Sequence, residues 1–205
     1  HETWLGSTLD EIAAEKAGVM RAGKPCVIAE SAPPNSIRLS ASEKACRLFL
    51  NGDHFALSAD TARCTSMTGE SLHFDKPGNG YLPADSAAAA MQALVCAGLH
   101  FDETNLQEVL RETRLPGRLQ WLEGERQVLL DVAHNPNAAE YLKSYLQSLE
   151  GNDRVHAVVA MYADKDCEGV FSMLSACVDH WHLASMDEAR GATAQELRNR
   201  LSASS

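Results

Sequence analysis

Leu115-Pro116-Gly117-Arg118-Leu119, followed by Val128-Leu129-Leu130-Asp131-Val132-Ala133-His134-Asn135-Pro136-Asn137, is the stretch on which the reading of this chain turns. Val128 to Val132 is a short apolar run of the kind that a parallel strand covered on both faces requires. Asp131 then falls near the carboxyl end of that strand. Asn135 is a good N-cap and Pro136 suits the first helical position, so a helix through Ala138, Tyr141, Leu142 and Tyr145 begins just beyond. In open α/β sheets the crevice at the strands' carboxyl ends is where ligands bind. A polar turn between strand and helix accounts for Asn135 and Pro136. It leaves Asp131 unexplained, because a carboxylate closing an apolar strand is costly to desolvate without a partner.

Regular alternation continues from there: strand 126–132, helix 136–149, strand 154–161, helix 168–178, strand 180–184 and helix 194–202. That order predicts an α/β fold with a doubly wound, Rossmann-like parallel sheet. Upstream the grammar differs. Thr8-x-x-Glu11 is a capping box opening a helix with Leu9, Ile12, Ala13, Val19 and Met20 inward and Gly23 as its terminator. A strand is expected from Pro25 to Glu30, a helix from Ser36 to Leu48, and short strands from Phe49 to Leu72. Ala84 to Leu99 reads as an alanine-rich helix capped by Asp85 or Ser86, and a further helix capped by Asp102 runs to about Thr113. The Leu115-Pro116-Gly117 break therefore separates residues 1–114 from a linker at 115–125 and a second domain at 126–205. Neither His1 nor the tail Ser202-Ala203-Ser204-Ser205 looks like a natural boundary, so a fragment cut in mid-domain is expected.

Composition narrows the function classes. The 205 residues are 45% hydrophobic, which makes the chain globular, and a net charge of -10 gives no broad basic footprint for nucleic acid. An anionic ligand must be held locally. Six scattered cysteines with no C-x-x-C pair read as reduced packing residues, without disulfides or a cysteine zinc site. No signal peptide and no apolar run of membrane-spanning length is present, which makes a cytoplasmic protein without a membrane partner the expectation.

Gly18 to Lys24 and Pro25 nearly match G-x-x-x-x-G-K-[ST], but a helix precedes and a strand follows, the reverse of a phosphate loop, and Pro25 lacks the hydroxyl. A helix C-cap turn is the better reading. Lys16 lies one turn after Ile12 and so toward the inner side of its helix, where a lowered pKa would free its amine. The competing reading, a solvated lysine suited to the helix C-terminus, is favoured by spacing alone. His1 is either a metal ligand or a harmless terminal residue. His54, His73, His100, His156, His180 and His182 show no H-E-x-x-H spacing. Asp164-Lys165-Asp166 follows the strand ending at Met161 and so also lies near the sheet's carboxyl edge.

Together, His1-x-x-Trp4-Leu5-Gly6, Glu15-Lys16-Ala17-Gly18, Leu115-Pro116-Gly117-Arg118, Asp131-Val132-Ala133-His134-Asn135-Pro136, Asp164-Lys165-Asp166 and Arg190-Gly191-Ala192-Thr193 follow a familiar order. In that order the chain resembles the bacterial dihydrofolate synthase/folylpolyglutamate synthases of the Mur ligase superfamily, over nearly its whole length. The resemblance implies an ATP-dependent amide ligase. Such a ligase phosphorylates a carboxylate of dihydropteroate or a folate, and the amine of L-glutamate attacks the acyl phosphate, with Mg²⁺ neutralising phosphate charge. It further implies the C-terminal portion of a Mur-type ATPase domain followed by a Rossmann-like ligase domain, in a cytoplasmic monomer. By position, His1 matches a Mg²⁺ ligand and Lys16 a carbamylated lysine. Arg118 matches a linker arginine that reaches ATP, and Asp131 an aspartate that holds the nucleotide, with His134 beside it. Ser86 stands where the family commonly has an ATP-contacting asparagine. The phosphate loop and most of the pterin pocket would lie before His1, so the fragment alone is expected to be inactive. Another Mur-type ligase, or a non-catalytic nucleotide-binding fragment, remains the alternative.

Overall fold

A computed structural model describes residues 8–75, 82–149 and 154–204. The chain divides into two compact units, His1–Leu115 and Pro116–Ser205.

In the first unit the capping box forms as the sequence requires. Thr8 accepts from the Glu11 amide and Glu11 returns a bond to the Thr8 amide, opening α1 (Leu9–Lys16). A 3₁₀ turn, Ala17–Val19, follows. Its tighter winding of three residues per turn brings Ala17 and Met20 inward and swings Val19 out. Val19, expected inside, is therefore 72% exposed, and Leu9, also expected inside, is 78% exposed in the first turn of α1. The pseudo-phosphate loop is a turn: Gly23 has φ 68° and its amide bonds the Lys44 carbonyl, leading into β1 (Pro25–Ile28).

The helix expected over residues 36–48 stops early. α2 (Asn35–Glu43) ends at Ala45, which takes φ 49°, and the Cys46 amide reaches back to the Ala41 carbonyl. That is a left-handed terminator made without glycine. It releases Arg47–Leu50 as β2, paired parallel to β1 so that Phe49 and Leu50 are buried. β3 (Ala56–Leu57), β4 (Thr61–Thr65) and β5 (Ser71–Asp75) form an antiparallel sheet. α3 (Ala84–Cys96) packs on β1, β3 and β4. Gln92, fully buried on α3, donates to the Thr65 carbonyl and accepts the Thr65 amide, so a buried amide is satisfied by one strand residue. Neither Asp85 nor Ser86 caps α3, which starts after Pro83 with no side-chain cap. Asp85 instead accepts from the Asn51 side chain. α4 (Glu103–Glu112) is capped by Asp102 as expected, and buries Leu106 and Leu110.

In the second unit β6 (Gln120–Leu122) and β7 (Val128–Leu130) form an antiparallel pair. This corrects the reading of 128–132 as a parallel strand covered on both faces. Val128 and Leu130 are 42% and 43% exposed, and only Leu129 between them is half-buried. α5 (Pro136–Ser148) starts at the Asn135 cap, whose side chain accepts the Ala138 amide. The α/β alternation then holds. β8 (His156–Val159), α6 (Cys167–Leu174) and β9 (His180–Leu183) make a parallel β-α-β unit, and α7 (Ala194–Ala203) follows a second capping box at Thr193 and Glu196. Phe171, Leu174, Leu197 and Met161 are buried in its core, with Trp181 edge-on to Phe171. Six cysteines are unpaired, with Cys64 and Cys167 buried. Among the described residues no helix is long and apolar enough to cross a membrane.

Candidate functional site

Asp131 has the partner its position demands, and the partner is backbone. Its Oδ2 accepts the Leu119 amide at 3.0 Å and its Oδ1 the Ala133 amide at 2.8 Å. The Leu115–Leu119 break is thereby tied to the strand-to-helix loop. Leu119 sits at φ 40°, a conformation disfavoured for a branched side chain, with its side chain buried. Gly117, at φ 66°, leaves room for Val132, whose Cγ1 would lie 2.9 Å from a Cβ on that glycine. Between these two fixed residues stands Arg118, exposed and without a hydrogen bond or ion pair to another described residue. The turn fixes its backbone while the guanidinium stays free to take an anion.

His134 continues the edge. Val132 carbonyl oxygen can only accept, so the contact of 3.0 Å to Nδ1 places the proton there and leaves Nε2 as the acceptor of the neutral ring. On α5, burial and then the nearby Asp131 carboxylate push the Tyr141 phenol up. Tyr145 accepts from Trp121 Nε1 at 2.8 Å, fastening β6 to the same helix.

The second loop of this unit gathers the two motifs that sequence kept apart. Asp164 accepts from Arg190 Nη2 at 2.6 Å, and the arginine lies 4.8 Å from the centre of the Tyr162 ring. Arg190 holds the Asp164 carboxyl below its usual range. Tyr162 donates to Glu188 at 2.9 Å, and that bond pushes the phenol up. Lys165, only 10% exposed, lies 3.6 Å from Asp164. Beneath the loop, Arg200 on α7 donates to the Ala163 carbonyl at 3.0 Å and the Lys165 carbonyl at 3.2 Å. Asp166 is an N-cap, accepting the Gly169 amide at 2.9 Å. Sequence reasoning named Asp164, Lys165 and Arg190 but not Arg200, whose position in an ordinary helical pattern carries no signal.

The remaining candidates lie in the first unit. Lys16 is exposed, 59% at its side chain, and pairs with Glu15 at 2.8 Å, the solvated placement that spacing alone favoured over an inward lysine. The 3₁₀ turn directly after it gives the inward place to Ala17. Ser86 is exposed in the first turn of α3. His1 lies outside the described residues.

Residues 117–205 match the family model for the Mur ligase glutamate ligase domain. The Escherichia coli K12 dihydrofolate synthase/folylpolyglutamate synthase is 35% identical over 203 residues, covering 98% of this chain and 47% of that protein. Over nearly its whole length the chain is similar to dihydrofolate synthase/folylpolyglutamate synthases, and its second unit to the Mur ligase glutamate ligase domain. It spans about half the length of the curated relatives it matches. Among solved structures, that of Escherichia coli FolC in complex with DHPP and ADP superposes with a TM-score of 0.86 at 35% identity, covering 98% of this chain and 49% of the other. A bifunctional folylpolyglutamate synthase/dihydrofolate synthase with Mn, AMPPNP and L-glutamate bound gives a TM-score of 0.85 at 35% identity, covering 97% and 48%. The α/β class and the Rossmann-like second unit agree with these neighbours.

Proposed function

We propose that the protein carrying this chain is an ATP-dependent carboxylate–amine ligase that joins L-glutamate to dihydropteroate and to folates. The observation that carries the reading is the Asp131-locked turn, in a chain whose similar structures hold adenine nucleotides. A free guanidinium on a backbone held at both flanks suits a phosphate, because its forked donors match the oxygens and little ordering remains to be done. Arg118 therefore takes the phosphates. Asp131 acts chiefly as the positioning group for that turn, with the spare lone pairs of its oxygens available to the nucleotide. His134 offers Nε2 as an acceptor alongside.

ATP would supply the phosphoryl group that activates the acceptor's carboxylate, so that the amine of glutamate displaces phosphate and forms an amide. This chain's residues orient the nucleotide for that step. For Mg²⁺ the described residues offer no group of three or more His, Cys, Asp or Glu side chains. His1 remains the proposed ligand, and Lys16 the proposed carbamylated lysine, on resemblance alone. An exposed lysine is open to CO₂, but its pairing with Glu15 must first break. Ser86 is proposed as a further nucleotide contact.

We also propose that residues 1–114 are the C-terminal portion of an ATP-binding domain, 115–125 a linker and 126–205 part of a ligase domain, in a cytoplasmic monomer that engages neither nucleic acid nor membrane. Glutamate-dependent ADP release from ATP, with dihydropteroate as acceptor, tests the activity on the full-length protein. Turnover only when all three substrates are present is expected; no turnover with dihydropteroate or any folate overturns the reading.

A further inference from the structure

The exposed face of the β8–β9 pair carries a feature that the ligase reading does not use. Parallel register sets His156 beside His180 and Val158 beside His182. The alternate residues Val159, Trp181 and Leu183 pack into the core, so the histidines stand together on the other face, all three exposed. His156 Nδ1 lies 3.1 Å from His182 Nε2, with the two rings stacked 12° apart in plane and 5.4 Å between centres. The His180 ring is 4.5 Å from that of His156.

We propose that His156 and His182 form a two-imidazole site for a borderline divalent cation such as Zn²⁺. Zinc–imidazole bonds of about 2.0–2.1 Å put two ligating nitrogens roughly 2.9 Å apart at a right angle and about 3.3 Å apart at the tetrahedral angle. The observed 3.1 Å falls between these spans. The ligand atoms are thus already near chelating separation on paired strands, and because their in-plane nitrogens face each other in the hydrogen bond, the two rings must turn for both to converge on one cation. In the cation-free pair one nitrogen donates to the other. On binding, that proton passes to the other nitrogen of its own ring, leaving two neutral imidazoles as donors. Nitrogen ligands of this kind favour Zn²⁺, Cu²⁺ or Ni²⁺ over Mg²⁺ or Ca²⁺. No three-ligand group is assembled among the described residues, so water completes the shell unless the His180 ring turns to join it. No motif spacing marks this pair, because the two ligands come from different strands. His156 opens β8 at the end away from the loop at Asp164, and His182 lies two residues further along in the register, beside Val158.

Calorimetric titration of the full-length protein with Zn²⁺ tests this against the His156→Ala/His182→Ala double variant. The wild type is expected to take up one Zn²⁺ equivalent that the double variant lacks, and His182→Gln to lose the same equivalent while keeping a polar side chain. The Mg²⁺-supported ligase rate is expected to be the same in all three. Superimposable Zn²⁺ isotherms for wild type and double variant overturn the proposal.

Discussion

Asp131 Oδ2 accepts the backbone amide of Leu119 at 3.0 Å, joining a break in the chain to a strand-end loop twelve positions away. Its other oxygen holds Ala133. One carboxylate thus organises both halves of the edge on which Arg118 stands, and the consequences of removing it follow from hydrogen-bond energetics.

Asp131→Asn keeps the shape but can accept through only one oxygen, and its amide nitrogen faces an N–H donor. Bonds to a charged acceptor contribute about 1.5–3 kcal/mol each. Denaturant unfolding is expected to show a loss within that range. Stability unchanged to within experimental error would mean that water replaces the lost acceptor and that the turn does not depend on Asp131.

Gly117→Ala meets two obstacles, a φ of 66° and a Cβ 2.9 Å from Val132 Cγ1. The left-handed backbone alone costs about 1–2 kcal/mol for a residue with a side chain. The variant is expected to lose at least that much stability, whereas Gly18→Ala, at a glycine with open space around it, should lose far less. Equal losses would contradict the assigned contact.

Lys16→Ala separates folding from function. Its pairing among the described residues is an exposed one with Glu15, and such pairs contribute about 0–1 kcal/mol. The melting transition of the full-length protein should barely move while glutamate-dependent ADP release falls sharply. Retained activity would remove Lys16 from the proposed site.

The thiols and carboxylates give opposite pH dependences. Burial pushes Cys64 up to about 11, so its protonated form is favoured by folding; that contribution is whole below about pH 9 and is lost as pH rises toward 11. Alkylation of the native protein near pH 8 should spare Cys64 and modify more exposed thiols first. Asp164, lowered by Arg190, contributes above the ordinary carboxylate range and loses its contribution as pH falls through its depressed value. Because that pair is solvent-screened, Arg190→Ala should flatten the acid limb of the stability profile only slightly. Preferential labelling of Cys64 would contradict its burial.

Much of this was legible in sequence because the signals were local. Thr8, Asp102 and Asn135 cap the helices they were expected to cap, and the β-α-β order after residue 154 follows from apolar periodicity. What sequence missed was set by tertiary contacts or by non-glycine residues in the left-handed region. Ala45 ended a helix whose pattern continued, and Leu119 needed Asp131 to hold it. The partner of β7 was hidden for a different reason: an apolar triplet reads alike whether it lies inside a parallel sheet or in an exposed hairpin. At the site, Asp131, Asp164 and Arg190 were visible as motif residues. Their roles were not, because the partners that define them are backbone amides or side chains on a distant element.

In the proposed function Asp131 acts on the nucleotide through the turn that carries Arg118. A double-mutant cycle on the full-length protein measures it, using calorimetric ATP affinity for wild type, Arg118→Ala, Asp131→Asn and the pair. Coupling of about 0.5–3 kcal/mol is predicted, with the Asp131 change costing little once Arg118 is gone. Strictly additive losses, or no loss of affinity in Arg118→Ala, would contradict the account.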